Sequence, residues 1–308
     1  MKLNFEYASG AGEHVAQVGD GLLYRVLAVP DSDAESPRDF DCNACVMVMN
    51  HGRYRLGDGE HGESQARDAV RSSRFYRDTW EDSESGQFTF KGETRDCFDF
   101  SNNPDVWAAM LLCDDIVTQP IYLYEHSGIT ISTGRFSCPW DSGQVGFAFV
   151  AKQQLRDAQS ATRWTPALRK WARDAIELEV QIYDSYLRGD VYGYVLEVAE
   201  CYEDCEPDLW EHVSSCFGYY GDFEESGLAQ DVMKSLVHDM VTRGDFLASD
   251  RSRNLESLKG MIADLRRMPG ANLATLRALK SQIAHHASEV RRCNMQLRSL
   301  AALKESMQ

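Results

Sequence analysis

No run of about 18 apolar residues occurs in this chain, so no membrane-spanning helix is expected. The opening residues, MKLNFEYASGAGEHVAQ, have no apolar core, so no secretory signal is expected either. There is no phosphate-binding loop, no dinucleotide fingerprint and no metalloprotease helix motif, so the chain announces no nucleotide or zinc chemistry and no cofactor is expected. Positive charge is scarce: 32 Lys and Arg stand against 48 Asp and Glu, a net charge of -16. Nine cysteines are scattered and odd in number, and without an export signal they read as reduced thiols in a cytoplasmic protein.

What is present is globular. Hydrophobic residues make up 43% of the 308, enough to build a core and to exclude disorder of the whole chain. The charge is unevenly placed. Up to Ser249 there are 21 basic against 43 acidic residues; from Asp250 onward there are 11 against 5. An acidic body repels phosphate, so the body is not expected to bind nucleic acid directly. It suits a basic surface on another protein.

The pattern predicts an α+β fold, with a mixed or antiparallel sheet, flanking helices and a C-terminal helical hairpin or coiled coil. Strands are expected at Gly21–Val29, Ala44–Met49, within Tyr122–Val150, at Val191–Val198 and at His212–Tyr219. Gly57–Gly62 reads as a polar turn, Ser64–Tyr76 as a helix and Gly86–Lys91 as part of an inserted hairpin. A helix starting at Pro104 has Asn103 or Ser101 as its cap. From Pro166 to Leu187 a helix carries the stripe Leu168, Trp171, Ala172, Ala175, Leu178, Ile182 and Tyr186. Leu228–Thr242 is a further helix. The expected division is 1–246, an acidic domain with an insertion at about 64–100, and 247–308, a basic helical tail. In the tail Leu276, Leu279, Ile283, His286, Val290, Cys293, Leu297 and Leu300 step by three and four. That is a heptad seam, which either packs on the body or joins a second chain as a homodimer.

Six stretches resemble a family of uncharacterised bacteriophage-encoded proteins. They are Glu35-Ser-Pro-Arg-Asp-Phe, His51-Gly-Arg-Tyr-Arg-Leu-Gly-Asp58, Tyr122-Leu-Tyr-Glu-His-Ser-Gly-Ile-Thr, Phe136-Ser-Cys-Pro-Trp-Asp-Ser-Gly-Gln-Val-Gly146, Tyr183-Asp-Ser-Tyr-Leu-Arg-Gly-Asp-Val-Tyr-Gly193 and Ser215-Cys-Phe-Gly-Tyr-Tyr-Gly221. The resemblance covers roughly residues 20–222 and leaves the heptad tail outside. It implies a phage origin, hence the cytoplasm of an infected host, and brings no activity with it.

Four constellations could carry chemistry. Cys138, His126 and Asp141 have the residue types of a thiol nucleophile, a base and an orienting group. Pro139 removes a backbone donor beside Cys138, which favours a buried structural cysteine next to Trp140. Asp58, Glu60, His61 and Glu63 could hold a cation, but their spacing fits no calcium loop, and a solvated turn is the simpler reading. Cys42 and Cys45 with Cys201 and Cys205 have the ligand types of a zinc site without the spacing, so no metal is expected. The fourth set is polar and aromatic: His51, Arg53, Tyr54, Asp58, Tyr124, Trp140, Tyr183, Tyr186, Asp190 and Tyr192. Aromatic side chains and arginine are what binding hot spots use, and these ten form the expected binding surface. Taken together, the expectation is a phage accessory protein that binds and inhibits a host nucleic-acid-binding defence factor. An enzyme using Cys138, His126 and Asp141 is the alternative.

Overall fold

The computed structural model of the chain describes residues 6–8, 11–18, 22–79, 86–152, 155, 165–200, 209–223, 225–267 and 273–306. It is a mixed α+β fold with antiparallel sheets and six α-helices among the described residues. No helix among them is long and apolar enough to cross a membrane. The chain forms two compact units, residues 1–32 with 191–308, and residues 33–190.

The first unit is built on a five-stranded sheet. Its strands are β1 (Glu6–Ala8), β2 (Ala11–Val18), β3 (Leu22–Pro30), β10 (Val191–Glu200) and β11 (Glu211–Tyr220), in that order and all antiparallel. Alternation along β3 puts Leu22, Tyr24, Val26 and Ala28 on one face, where they are buried with Tyr194, Leu196 and Val198. The long helix α5 (Leu228–Arg267) covers that face with Leu228, Val232, Leu236 and Met240, a repeat of four that keeps one stripe inward. Tyr24 donates its hydroxyl to Asp239 on α5 at 2.7 Å, which removes the polar end of an otherwise buried ring from the cost of burial.

The helix α6 (Leu273–Ser306) runs antiparallel to α5, as His286 Nδ1 lies 2.6 Å from Asn254 Oδ1 and Cys293 Sγ lies 3.5 Å from Asp250 Oδ2. Cys293, Leu300 and Leu303 are buried in the same core as Leu22 and Tyr24, and Leu297 packs against it. Leu276, Leu279, Ile283, His286 and Val290 are half-buried. The boundary expected at 246/247 therefore falls inside α5, and the tail shares a core with β3 and β10. The reason is the seam's own chemistry. Its C-terminal half is the lid the sheet face needs. The expected charge division is blended in the same way: the first unit holds 15 basic and 22 acidic residues, the second 17 and 26.

The second unit is the connection between β3 and β10. These strands are neighbours, with Tyr192 opposite Pro30 and the Asp31 N–H donating to the Val191 carbonyl at 2.8 Å. Its sheet is ordered β4 (Val46–Met49), β9 (Ser142–Ala151), β7 (Ile116–Glu125), β8 (Ile129–Ser132), all antiparallel. One face packs on α4 (Pro166–Arg188) through Ala172, Ile176, Val180 and Tyr183. The other packs on α1 (Gly59–Arg71), α2 (Arg74–Thr79) and α3 (Asn103–Met110) through Ala66, Val70, Phe75, Val106 and Met110. A small hairpin, β5 (Gln87–Phe90) and β6 (Glu93–Asp96), adds Phe88 to that core.

Three expectations are corrected. The helix expected from Ser64 begins at Gly59, so Glu60, His61 and Glu63 lie in its first turns rather than in a polar turn. Asn102, not Asn103 or Ser101, caps α3, accepting from the Asp105 N–H at 2.9 Å. The buried stripe of α4 is rotated from the expected one, leaving Leu178 at 57% exposure. The smaller residues Ala172 and Val180 seat the helix closer to the sheet than a ridge containing Leu168 and Leu178 would allow.

Candidate functional site

The second unit is pinned by a buried ion network of Arg38, Asp58 and Glu179. Arg38, with its side chain 5% exposed, meets both Asp58 oxygens at 2.8 and 3.0 Å, Glu179 at 2.9 Å and the Cys45 carbonyl at 2.8 Å. Asp58 also accepts from the Met47 N–H at 2.9 Å, and Glu179 from Ala44 and Cys45 at 2.6 and 3.2 Å. A bidentate guanidinium with its other donors occupied is the geometry in which buried charge is tolerated. Burial pushes the Cys45 thiol well above its ordinary value and the nearby Glu179 adds to this, so it stays neutral. Asp58, expected on a binding surface, is thus a framework residue. Tyr183 is framework too: it is buried, accepts from the Gly57 N–H at 3.2 Å and stacks on Tyr186 at 6.2 Å between ring centres. Burial raises its hydroxyl pKa. Asp190 pairs with Arg188 at 2.7 Å beyond the end of α4. Tyr192 belongs to the first unit, edge-on to Phe223 at 4.9 Å.

The remaining aromatic and charged residues converge at one end of the sheet. The end of β4, the end of β7 and the start of β9 lie side by side there. The Glu125 N–H donates to the Asp141 carbonyl at 2.9 Å and the Asn50 N–H to the Val145 carbonyl at 2.8 Å. The segment after β4 carries His51, Arg53 and Tyr54. The β8–β9 connection carries Cys138, Trp140 and Asp141. Between them lies a cleft of about 460 Å³, lined by His51, Arg53, Glu125, Trp140 and Asp141 among others.

Glu125 is its centre. Its carboxylate accepts from Arg53 at 2.9 Å and from the Tyr54 hydroxyl at 3.3 Å, and lies 3.8 Å from His51 Nε2. The His51 and Tyr54 rings stack at 5.0 Å. Arg53 is 74% exposed in its side chain, so water screens its pairing and little holds it against exchange. At the rim Trp140 is 91% exposed. A tryptophan left so bare gives up most of the stabilisation its burial would supply, and nothing in the unit's packing accounts for it. With the carboxylates of Glu125 and Asp141 beside that ring, the arrangement suits a cationic side chain: an ion pair on one flank and a ring face on the other.

The thiol constellation is arranged differently from its expectation. Cys138 Sγ lies 3.5 Å from Asp141 Oδ2, but among the described residues no hydrogen bond joins Cys138 to His126. His126 is exposed in the β7–β8 turn, beside Ser127 at φ 60°, and stacks on Tyr124 at 6.0 Å. Tyr124 also meets Phe136 at 5.7 Å. Cys138 is half-exposed rather than buried, because its neighbour Trp140 points to solvent instead of covering it. Cys45 is buried, Cys42 is exposed, and Cys201 and Cys205 lie outside the described residues. His61 bonds Gln65 at 2.8 Å and Glu63 bonds Asn103 at 3.0 Å, while no group of three His, Cys, Asp or Glu among the described residues could hold a metal ion.

The sequence reading passed over Glu125, Arg38 and Glu179. A signal existed for two of them. Glu125 shares the strand parity of the buried Ile121 and Leu123, and Glu179 falls between Ile176, Val180 and Tyr183 on the inward side of α4. An acid at an inward register needs a partner. Comparison with family models, with curated proteins and with solved structures returns no match.

Proposed function

We propose that this protein acts by binding another protein rather than by catalysis, and that the cleft around Glu125 is where it grips a basic side chain of its partner. The observation that carries the reading is Trp140, 91% exposed beside two carboxylates. A net charge of -16 steers basic partners toward the chain and disfavours nucleic acid itself. With the resemblance to phage proteins, the partner we infer is a nucleic-acid-binding defence factor of an infected host, whose basic groove this protein would occupy and so inhibit.

The test is affinity capture from host lysate with the wild-type chain, Trp140→Ala and Glu125→Gln, followed by titration of the captured partner. A hot-spot tryptophan is worth about 2 kcal/mol or more, so Trp140→Ala should weaken binding by roughly thirtyfold. A partner that binds both variants as it binds the wild type would remove this cleft from recognition.

A second reading, thiol or acid–base chemistry by Cys138, His126 and Asp141, has the contact between Cys138 and Asp141 in its favour. Alkylation of Cys138 at neutral pH, faster than a free thiol and slowed by His126→Ala, would support it.

A further inference from the structure

The helix pair of the first unit carries charge of the opposite sign to the rest of the chain. Residues 250–298 hold 10 basic and 4 acidic residues, against 22 and 44 elsewhere. Helical geometry sorts these charges. At about 100° per residue, Arg251, Lys259 and Arg266 fall on one side of α5, roughly two turns apart. Arg277, Lys280, Arg291 and Arg298 fall on one side of α6, reached by the same sense of rotation from its seam. In an antiparallel pair, equal rotation away from the two seams leads to a common face, so both rows look out together. The contacts of Asn254 with His286 and of Asp250 with Cys293 set the register. They put Arg251 level with Arg291, Arg266 level with Arg277, and Lys259 within a turn of Lys280.

All seven side chains are exposed, and among the described residues none has an ion-pair or hydrogen-bond partner. On the other face the cations are neutralised: Arg253 pairs with Asp250 at 3.1 Å, and Arg292 with Glu200 at 2.9 Å and Glu289 at 3.0 Å. Glu256 and Asp264 point behind α5 and to that other face. The unpaired rows therefore repel one another, and an extended polyanion laid along them relieves this. At 1.5 Å per residue the three tiers span about 22 Å, with helix axes about 8–10 Å apart. Duplex DNA carries one charge per ~1.7 Å, so that length offers about 13 phosphates. Five of the seven cations are arginine, whose fork fits phosphate oxygens. No Phe, Tyr or Trp occurs from Asp250 to the last residue, so no such ring is present for an unpaired base to stack on. We propose that this face binds the backbone of duplex DNA without regard to sequence. The acidic remainder of the chain repels DNA, which confines the contact to the helix pair. The inference does not rest on the function proposed for the Glu125 cleft.

The experiment is fluorescence anisotropy of a labelled duplex of about 24 base pairs, titrated with the full chain. Between about 50 and 200 mM salt, six engaged cations would lower the affinity roughly a thousandfold, a log–log slope of about -5. Lys259→Gln together with Lys280→Gln should make that slope shallower by about 2 and weaken binding at least tenfold at the lowest salt. Both positions are exposed, so the melting temperature should not move. Arg253→Gln, on the other face, should bind like the wild type, and a single strand of equal length should bind more weakly than the duplex. The proposal is overturned if the duplex does not bind at the lowest salt, if the double variant titrates like the wild type, or if Arg253→Gln costs as much. It is also overturned if the chain ignores the duplex but binds phosphatidylserine vesicles, or associates with itself in a way the double variant abolishes. Those two results would give the face to a membrane surface or to the acidic surface of a second copy.

Discussion

Ending the chain after Phe246 should unfold the first unit and spare the second. The cut removes Leu247, Cys293, Leu300 and Leu303, each no more than 6% exposed and all in one core with Leu22 and Tyr24. Full burial of a leucine stabilises by about 1.5–3 kcal/mol, so the three leucines alone contribute roughly 5–9 kcal/mol. A domain's whole stability is about 5–15 kcal/mol. The loss is therefore comparable to everything the unit has, before the newly exposed face of β3 and β10 is counted. Hydrogen exchange reads the two units separately. In the truncated chain, amides of β3 and β10 should exchange as in an unfolded peptide, while those of β4, β7 and β9 keep their protection. Undiminished protection in β3 and β10 would show that α6 is an appendage, and the argument from the shared core would be wrong.

Arg38→Ala should cost the second unit about 3–5 kcal/mol, because Asp58 and Glu179 would stay buried without a cation; chemical denaturation of residues 33–190 measures it. Gly146→Ala should cost at least the upper end of the ~1–3 kcal/mol typical of overpacking, since a Cβ there drives into the Val48 carbonyl of the neighbouring strand. A midpoint unchanged from wild type in the same denaturation would contradict the close approach of β4 and β9. Burial raises the Asp184 carboxyl above its ordinary value, so the native state holds that proton more tightly than the unfolded chain. Its contribution is present below the unfolded value of 3.8 and is lost as pH rises to the folded one. Melting temperatures from pH 3 to 6 should fall less steeply in Asp184→Asn than in wild type.

Most of the elements were legible because their signals are local. β3, β10 and α4 declare themselves by alternation, by a four-residue repeat and by Gly189, which closes α4 at φ 76°. Which elements share a core was not legible. The seam of α6 looks the same whether it meets a second chain or β3, some 270 residues earlier in the chain, and only the unfilled face of β3 decides between them. The site divides in the same way. His51, Arg53, Tyr54 and Trp140 stood out as types that bind; His51, Arg53 and Trp140 line one cleft, and Tyr54 stacks on His51. Tyr183, Tyr192 and Asp58 stood out for the same reason yet serve packing and charge pairing, because a residue type does not reveal which way its side chain faces.

The nesting of residues 33–190 between two paired strands sets an order of events during synthesis. Every residue of the inner unit has been made while β10, β11 and both long C-terminal helices are still unmade. At about 5–20 residues per second, the ~110 residues that separate Asp190 from Leu303 take roughly 6–22 s. Until that interval is over, the apolar face of β3, paired with β2, lacks its full lid. The inner unit can be finished, with its two ends ready to be drawn together, while the outer one waits exposed. The newborn chain is thus most prone to aggregation, and most in need of a chaperone, through a strand made well before the rest of its core.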